Sequence, residues 1–177
     1  MHRLFVAIRP PLEIRQLLLS VMGGVPKVRW QTDHQLHLTL RFIGEVEAHV
    51  ADDISAALRR VHHPPFELSI DGLGTFDRKG QPGVLWARAT PHAPLQALHK
   101  KIDQACARAG LPPEGRSFSP HITLARLRPG SGSLEPVMAT AGDLKSPSFA
   151  VESFGLYEST LTSDGALYTL AESYALR

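Results

Sequence analysis

Two short stretches of this chain are near copies of each other. His37-Leu38-Thr39-Leu40 and His121-Ile122-Thr123-Leu124 both read His–apolar–Thr–Leu. Side chains alternate between the two faces of a β-strand. His37 and Thr39 therefore share one face while Leu36, Leu38 and Leu40 take the other; His121 and Thr123 stand opposite Ile122 and Leu124 in the same way. Each stretch reads as a strand with an apolar back and a front that carries one imidazole and one hydroxyl. A duplicated element of this kind implies two similar halves presenting two His–Thr pairs to one cleft.

The rest of the chain fits that division. Residues 3–8 alternate as a strand that stops at Pro10-Pro11, and a helix follows with Ile14, Leu17, Leu18 and Val21 on its apolar stripe and Gly23-Gly24 as its stop. Residues 28–30 form a short strand and 36–43 the first His–Thr strand. Val46, Val50, Ile54, Leu58 and Val61 recur at helical spacing, which predicts an amphipathic helix over 46–62. Residues 66–76 read as a strand kinked at Gly72 or Gly74, 77–83 as a turn and 84–89 as a strand. Leu95, Leu98, Ile102, Cys106 and Ala109 mark a helix through about 109, and 120–127 is the second His–Thr strand. Residues 129–147, rich in Gly, Ser and Pro, read as an exposed insertion with a helical turn or two near 134–141. Two final strands, 148–159 and 166–175, join across Thr162-Ser163-Asp164-Gly165, whose Asp-Gly pair is a hairpin signal. Mixed helix and strand with short turns between strands argue for α+β with largely antiparallel sheets, not a doubly wound parallel sheet.

Composition excludes several classes. A length of 177 residues suits one domain or two tightly joined lobes, so 1–177 is read as a single unit. Nineteen Lys and Arg against seventeen Asp and Glu leave a net charge of +2, so any grip on phosphate must come from a local cluster. There is no apolar run of transmembrane length, and 3–8 is too short and too β-branched for a signal peptide; no membrane association is expected. The single cysteine, Cys106, excludes an internal disulfide and is read as core, which favours the cytoplasm. No glycine loop for a nucleotide cofactor, no HExxH and no tight His/Asp cluster is present, so no cofactor or metal is expected.

Cleaving a phosphodiester by in-line attack requires one group to take a proton from the nucleophile and another to protonate the leaving oxygen. His37 and His121, on opposite sides of a phosphate, suit that work near neutral pH without a metal. The Thr39 and Thr123 hydroxyls and a nearby cation can hold the nonbridging oxygens, where charge gathers. Arg41 shares strand parity with His37 and Thr39, which allows it a place on the cleft side as a phosphate ligand, against the plainer reading of a solvated arginine. Arg126, five positions after His121, falls on the opposite face under strict alternation and needs a bulge or a twist to bring it round. Of the other histidines, His62 and His63 close a helix, and His34, His49, His92 and His99 read as isolated and solvent-facing.

At these residues the chain resembles the 2H phosphoesterase superfamily, and within it the RNA 2′,3′-cyclic phosphodiesterases once called 2′-5′ RNA ligases. The likeness runs from the opening strand Arg3–Ile8 through Trp30 and Leu36–Val46 to Phe118–Arg126. It implies a bilobal α+β fold with pseudo-twofold symmetry, helices packed outside and a central cleft. It also implies His37 as proton donor to the leaving 3′ oxygen, His121 as the base that activates water, and Thr39, Thr123 and Arg126 as phosphate ligands. Phe42 matches a family aromatic; parity places it with Leu38 and Leu40, so it reads as core first and base-stacking second. The implied reaction opens an RNA 2′,3′-cyclic phosphate to a 2′-phosphomonoester, with small nucleoside 2′,3′-cyclic phosphates as further substrates; apart from the resemblance, a monomer is expected. Joining of RNA ends through a 2′-5′ linkage at the same site, or an RNA-end-binding module without turnover, are the alternatives.

Overall fold

Alternating apolar residues form β1 (His2–Ile8), and α1 (Leu12–Ser20) starts directly after Pro10-Pro11 in the computed structural model, which describes residues 1–177. The chain continues through β2 (Arg29–Trp30), a single 3₁₀ turn (Asp33–Gln35), β3 (Leu38–Val46), α2 (Ala48–Leu58), β4 (Phe66–Arg78) and β5 (Gln81–Thr90). Then come α3 (His92–Arg108), β6 (His121–Arg126), α4 (Glu135–Ala141), β7 (Phe149–Val151), β8 (Ser153–Thr162) and β9 (Gly165–Ala175). The fold is α+β. The strands lie in the order β7-β4-β5-β6-β3-β1-β8-β9, all antiparallel, with β2 on β6.

That order has a midpoint between β6 and β3, the two His–Thr strands. They meet through one registered pair, Leu38 with Ile122. The two halves join at this narrow seam into one nine-stranded sheet, with four strands of the order on each side and β2 added on β6. One face of the sheet packs against the helices: Val6, Ile8, Leu38, Leu40, Leu85, Ala87, Ile122 and Leu124 share a core with Leu18, Ile54, Leu58, Leu95, Leu98 and Ile102. Burying one such side chain is worth roughly 1.5–3 kcal/mol, so this face fixes the register of the whole sheet. Cys106 lies in the same core, and burial pushes its thiol up to about 11, which leaves it unreactive. No helix is long and apolar enough to cross a membrane.

Two segments depart from the sequence reading. The expected turn over 77–83 is a two-residue hairpin tip, Lys79-Gly80, both with positive φ, closed by the Arg78–Gln81 pair. Asp77, Pro82 and Gly83 look like breakers but sit in a ladder whose register shifts beside Asp77, where an irregular strand tolerates proline. The second is 129–147, which is strapped down instead of exposed. Leu134, Val137 and Ala141 are buried, and the Gly142 and Leu144 carbonyls accept from the Leu73 and Gly72 N–H groups. The cause lies in β4, which bulges between Ile70 and Leu73 with Gly72 at φ +90°, so its backbone groups need partners from outside the ladder.

Candidate active site

The Leu38–Ile122 pair sets the site. Both side chains are fully buried on the helix side, so their strand neighbours His37, Thr39, His121 and Thr123 turn to the opposite face. Antiparallel register about this pair sets His37 opposite Thr123, and Thr39 opposite His121. Each histidine thus stands on the same face as the other motif's threonine, at the neighbouring position across the seam.

Beyond the threonines, both strands bulge at the same place. Ala7 pairs with Thr39 and Val6 with Arg41, leaving Leu40 without a partner in the ladder. Trp86 pairs with Thr123 and Leu85 with Ala125, leaving Leu124 out in the same way. An extra residue reverses the alternation that follows it. In β3 this corrects the sequence reading twice. Arg41 does not reach the cleft: it is 8% exposed on the helix side, where Nε bonds Asp103 at 3.0 Å and Nη2 donates to the Pro112 carbonyl at 2.6 Å. Phe42, expected with Leu38 and Leu40, is instead 64% exposed on the cleft face, its ring 6.2 Å from that of Phe5. In β6 the same bulge buries Ala125 and carries Arg126 to the cleft face, where its charge acts on His121. Phe42 and Arg126 are thus equivalent positions, each five residues after its histidine.

The two histidines stand in different surroundings. His37 is boxed by the rings of Tyr157, Tyr168 and Phe5, edge-on at 4.7, 5.5 and 6.0 Å. Neither ring nitrogen has a hydrogen-bond partner. Burial lowers its pKa to about 4; a backbone contact at Gln35 works against this without reaching hydrogen-bond geometry, and the charge of Arg9 adds to the lowering. His121 is less enclosed. Its Nδ1–H donates to the Ser119 carbonyl at 2.7 Å, which leaves Nε2 as the acceptor. Its pKa is lowered chiefly by burial, with the Ser119 bond opposing and Arg126 assisting. Phe76 meets its ring edge-on at 4.8 Å and Trp86 lies at 6.1 Å. Trp86 can lie there because residue 74 is glycine: a Cβ on Gly74 would stand 2.5 Å from the indole.

Several of these residues carried no sequence signal. Tyr157, Tyr168, Phe76 and Trp86 reach the site from β8, β9, β4 and β5, and only long-range strand pairing reveals that. Arg9 holds the segment before His37 in place, donating to the Asp33 and Leu36 carbonyls at 3.0 and 3.1 Å. Asp33 is held in turn by Arg15 at 2.8 Å. His34 is not isolated, since its Nε2 accepts from the Tyr168 N–H at 3.0 Å; nor is His99, which bonds the Leu40 carbonyl. No group of three His, Cys, Asp or Glu side chains is placed to hold a metal ion.

A pair of imidazoles, one with an open Nε2 lone pair, two hydroxyls and one arginine on a single face can move two protons about a tetrahedral anion. Comparison with known proteins agrees with that chemistry. Residues 7–162 match the model of the 2′-5′ RNA ligase superfamily. A protein of Aeropyrum pernix named RNA 2′,3′-cyclic phosphodiesterase is 34% identical, over 82% of this chain and 84% of its own. Proteins of the same name from Thermus thermophilus and Escherichia coli are 33% and 31% identical, each over 99% of this chain and across 90% and 97% of their own. Among solved structures, TT0787 of Thermus thermophilus superimposes with a TM-score of 0.84 at 28% identity, over 99% of this chain and 98% of that one. Escherichia coli LigT complexed with 3′-AMP gives 0.78 at 30% identity over the same shares.

Proposed function

Because this chain belongs to the 2′-5′ RNA ligase superfamily, we propose that its cleft hydrolyses RNA 2′,3′-cyclic phosphate ends to 2′-phosphomonoesters. The observation that supports this is the register at Leu38 and Ile122, which puts both His–Thr pairs on the same face of one sheet. His121 Nε2 takes a proton from water as the water oxygen bonds to phosphorus. The bond from phosphorus to the ribose 3′ oxygen breaks on the far side, and His37 gives that oxygen its proton. Thr39 and Thr123 donate to the nonbridging oxygens, and the Arg126 guanidinium offsets the charge that builds there. The tautomer of His121 favours the base role, since Nδ1 is already committed to Ser119. The choice of the 3′ oxygen as leaving group follows the family resemblance.

The low pKa of His37 adds a condition. The free ring is neutral at pH 7, so the proton it delivers must be taken up from solvent as the substrate binds. A phosphodiester anion beside a buried imidazole favours the imidazolium. On this reading the substrate charges its own acid.

The test is product analysis of an RNA ending in a 2′,3′-cyclic phosphate, with and without EDTA. A 2′-monoester formed at equal rates in both is the expected result. A 3′-monoester, a 2′-5′ joined product alone, or loss of turnover on chelation with rescue by a divalent ion would each overturn it.

A further inference from the structure

We propose that His99, on α3, is a positioning residue that couples the two histidine motifs; the proposal rests on the acid–base reading given above. His99 Nδ1–H donates to the Leu40 carbonyl at 2.7 Å. Leu40 is the bulged residue of β3, the one with no partner in the β1 ladder. A bulge holds its shape only if its displaced backbone groups find partners. This one follows Thr39 directly and decides that Phe42 faces the cleft and Arg41 the helices.

The other side of the same ring lies on Phe118. The two rings stack 4.2 Å apart and 2° from parallel. Gln96, one turn earlier on α3, donates from Nε2 to the Phe118 carbonyl at 3.2 Å. The next residue is Ser119, whose carbonyl accepts the Nδ1–H of His121 and so fixes its tautomer. A short path of contacts therefore runs from Leu40 through His99 and Phe118 to Ser119 and His121. The second half needs no such side chain at its own bulge, because the Leu124 carbonyl accepts from the Gln31 backbone N–H at 2.8 Å. The departure from symmetry places one half-buried residue in contact with the first motif at Leu40 and with Phe118, three residues before the second.

Three variants separate the parts. His99→Phe keeps the stack and removes the donor. His99→Asn removes the stack but presents Nδ2–H near the position of Nδ1. Phe118→Leu removes the stack and leaves the hydrogen bond. Each is read by kcat and KM, and by NMR of the His37 and His121 ring signals across pH. His99→Phe should lower kcat about tenfold with little change in KM, the scale of a small misplacement of reacting groups. It should shift the His37 ring signals, and His99→Asn should restore most of both. Phe118→Leu should move the His121 signals more than those of His37. Unshifted ring signals in His99→Phe, or a His99→Asn variant as impaired as His99→Phe, would overturn the proposal. Since the ring signals need no turnover, a wild-type protein inactive on cyclic phosphates would overturn the function and leave this coupling to be judged on the spectra.

Discussion

Leu38 and Ile122 are the single residue pair through which β3 and β6 meet, and both are buried against the helices. The way the two motifs face each other follows from that pair. It sets His37 against Thr123 and His121 against Thr39, and two residues further on each strand carries an equivalent bulge, at Leu40 in the ladder with β1 and at Leu124 in the ladder with β5. Under the proposed mechanism the two motifs work as one unit only while this register holds.

The first prediction follows from that unity. His37→Ala and His121→Ala should each lower kcat roughly a hundredfold or more, the usual scale of general acid–base catalysis. The double variant should be little worse than the worse single one, because removing either group already breaks the proton relay. Single-turnover rates on a 2′,3′-cyclic phosphate end measure this. Multiplicative losses would mean the two rings act independently.

A second prediction sets two arginines against each other. Arg41→Ala strips Asp103 of its Nε bond and frees the Pro112 carbonyl. Breaking a buried pair costs roughly 3–5 kcal/mol. Asp103 is partly open to solvent, so the lower end applies, and the loss appears in thermal unfolding. Arg126→Ala touches no such network. It should leave the melting temperature within about 2 °C and lower kcat/KM, since a surface substitution is usually within about 0.5 kcal/mol. If Arg41→Ala loses activity without stability, the burial argument for Arg41 fails.

These two arginines also show where the sequence stopped being legible. The paired motifs, the helices, the α+β class and the final hairpin could be read from periodicity and turn residues. The faces of residues beyond Leu40 and Leu124 could not. Alternation is a rule for regular strands, and a single extra residue inverts it. Arg126 offered a hint, because its presence after the second motif made sense only with a bulge. Phe42 and Arg41 offer none, and strict alternation puts each on the wrong face. The aromatic box around His37 was invisible for another reason: Tyr157 and Tyr168 are more than a hundred residues away in the chain, and only the β1–β8–β9 pairing brings them in.

The third prediction concerns anion binding. Free His37 has its pKa lowered to about 4, and that of His121 is lowered too. A bound anion stabilises their charged forms. Binding therefore takes up protons and tightens as pH falls from 7 toward 5. Sulfate is a suitable probe because it does not titrate in this range. Calorimetry in buffers of different ionisation enthalpy should show net proton uptake, reduced in His37→Gln. Affinity that is flat with pH would mean that neither ring is charged in the complex, and His37 would then lack the proton its role requires.

The last prediction is one of stability. An unfolded histidine titrates near 6.5, while buried His37 holds out to about 4. Between those values the unfolded chain binds more protons than the folded one, so stability falls as pH falls. The loss begins near pH 6.5 and is complete near pH 4. For His37 alone it amounts to about 3 kcal/mol, at about 1.4 kcal/mol for each pH unit that separates the folded and unfolded titrations. His37→Gln keeps a polar side chain of similar reach but has nothing to titrate. Urea unfolding at pH 7, 6, 5 and 4.5 should therefore show a shallower fall in the variant than in the wild type. The comparison is between slopes, so any change in absolute stability drops out. Equal slopes would mean that His37 is protonated in the folded protein without penalty, and the case for an acid that charges only when substrate arrives would collapse with it.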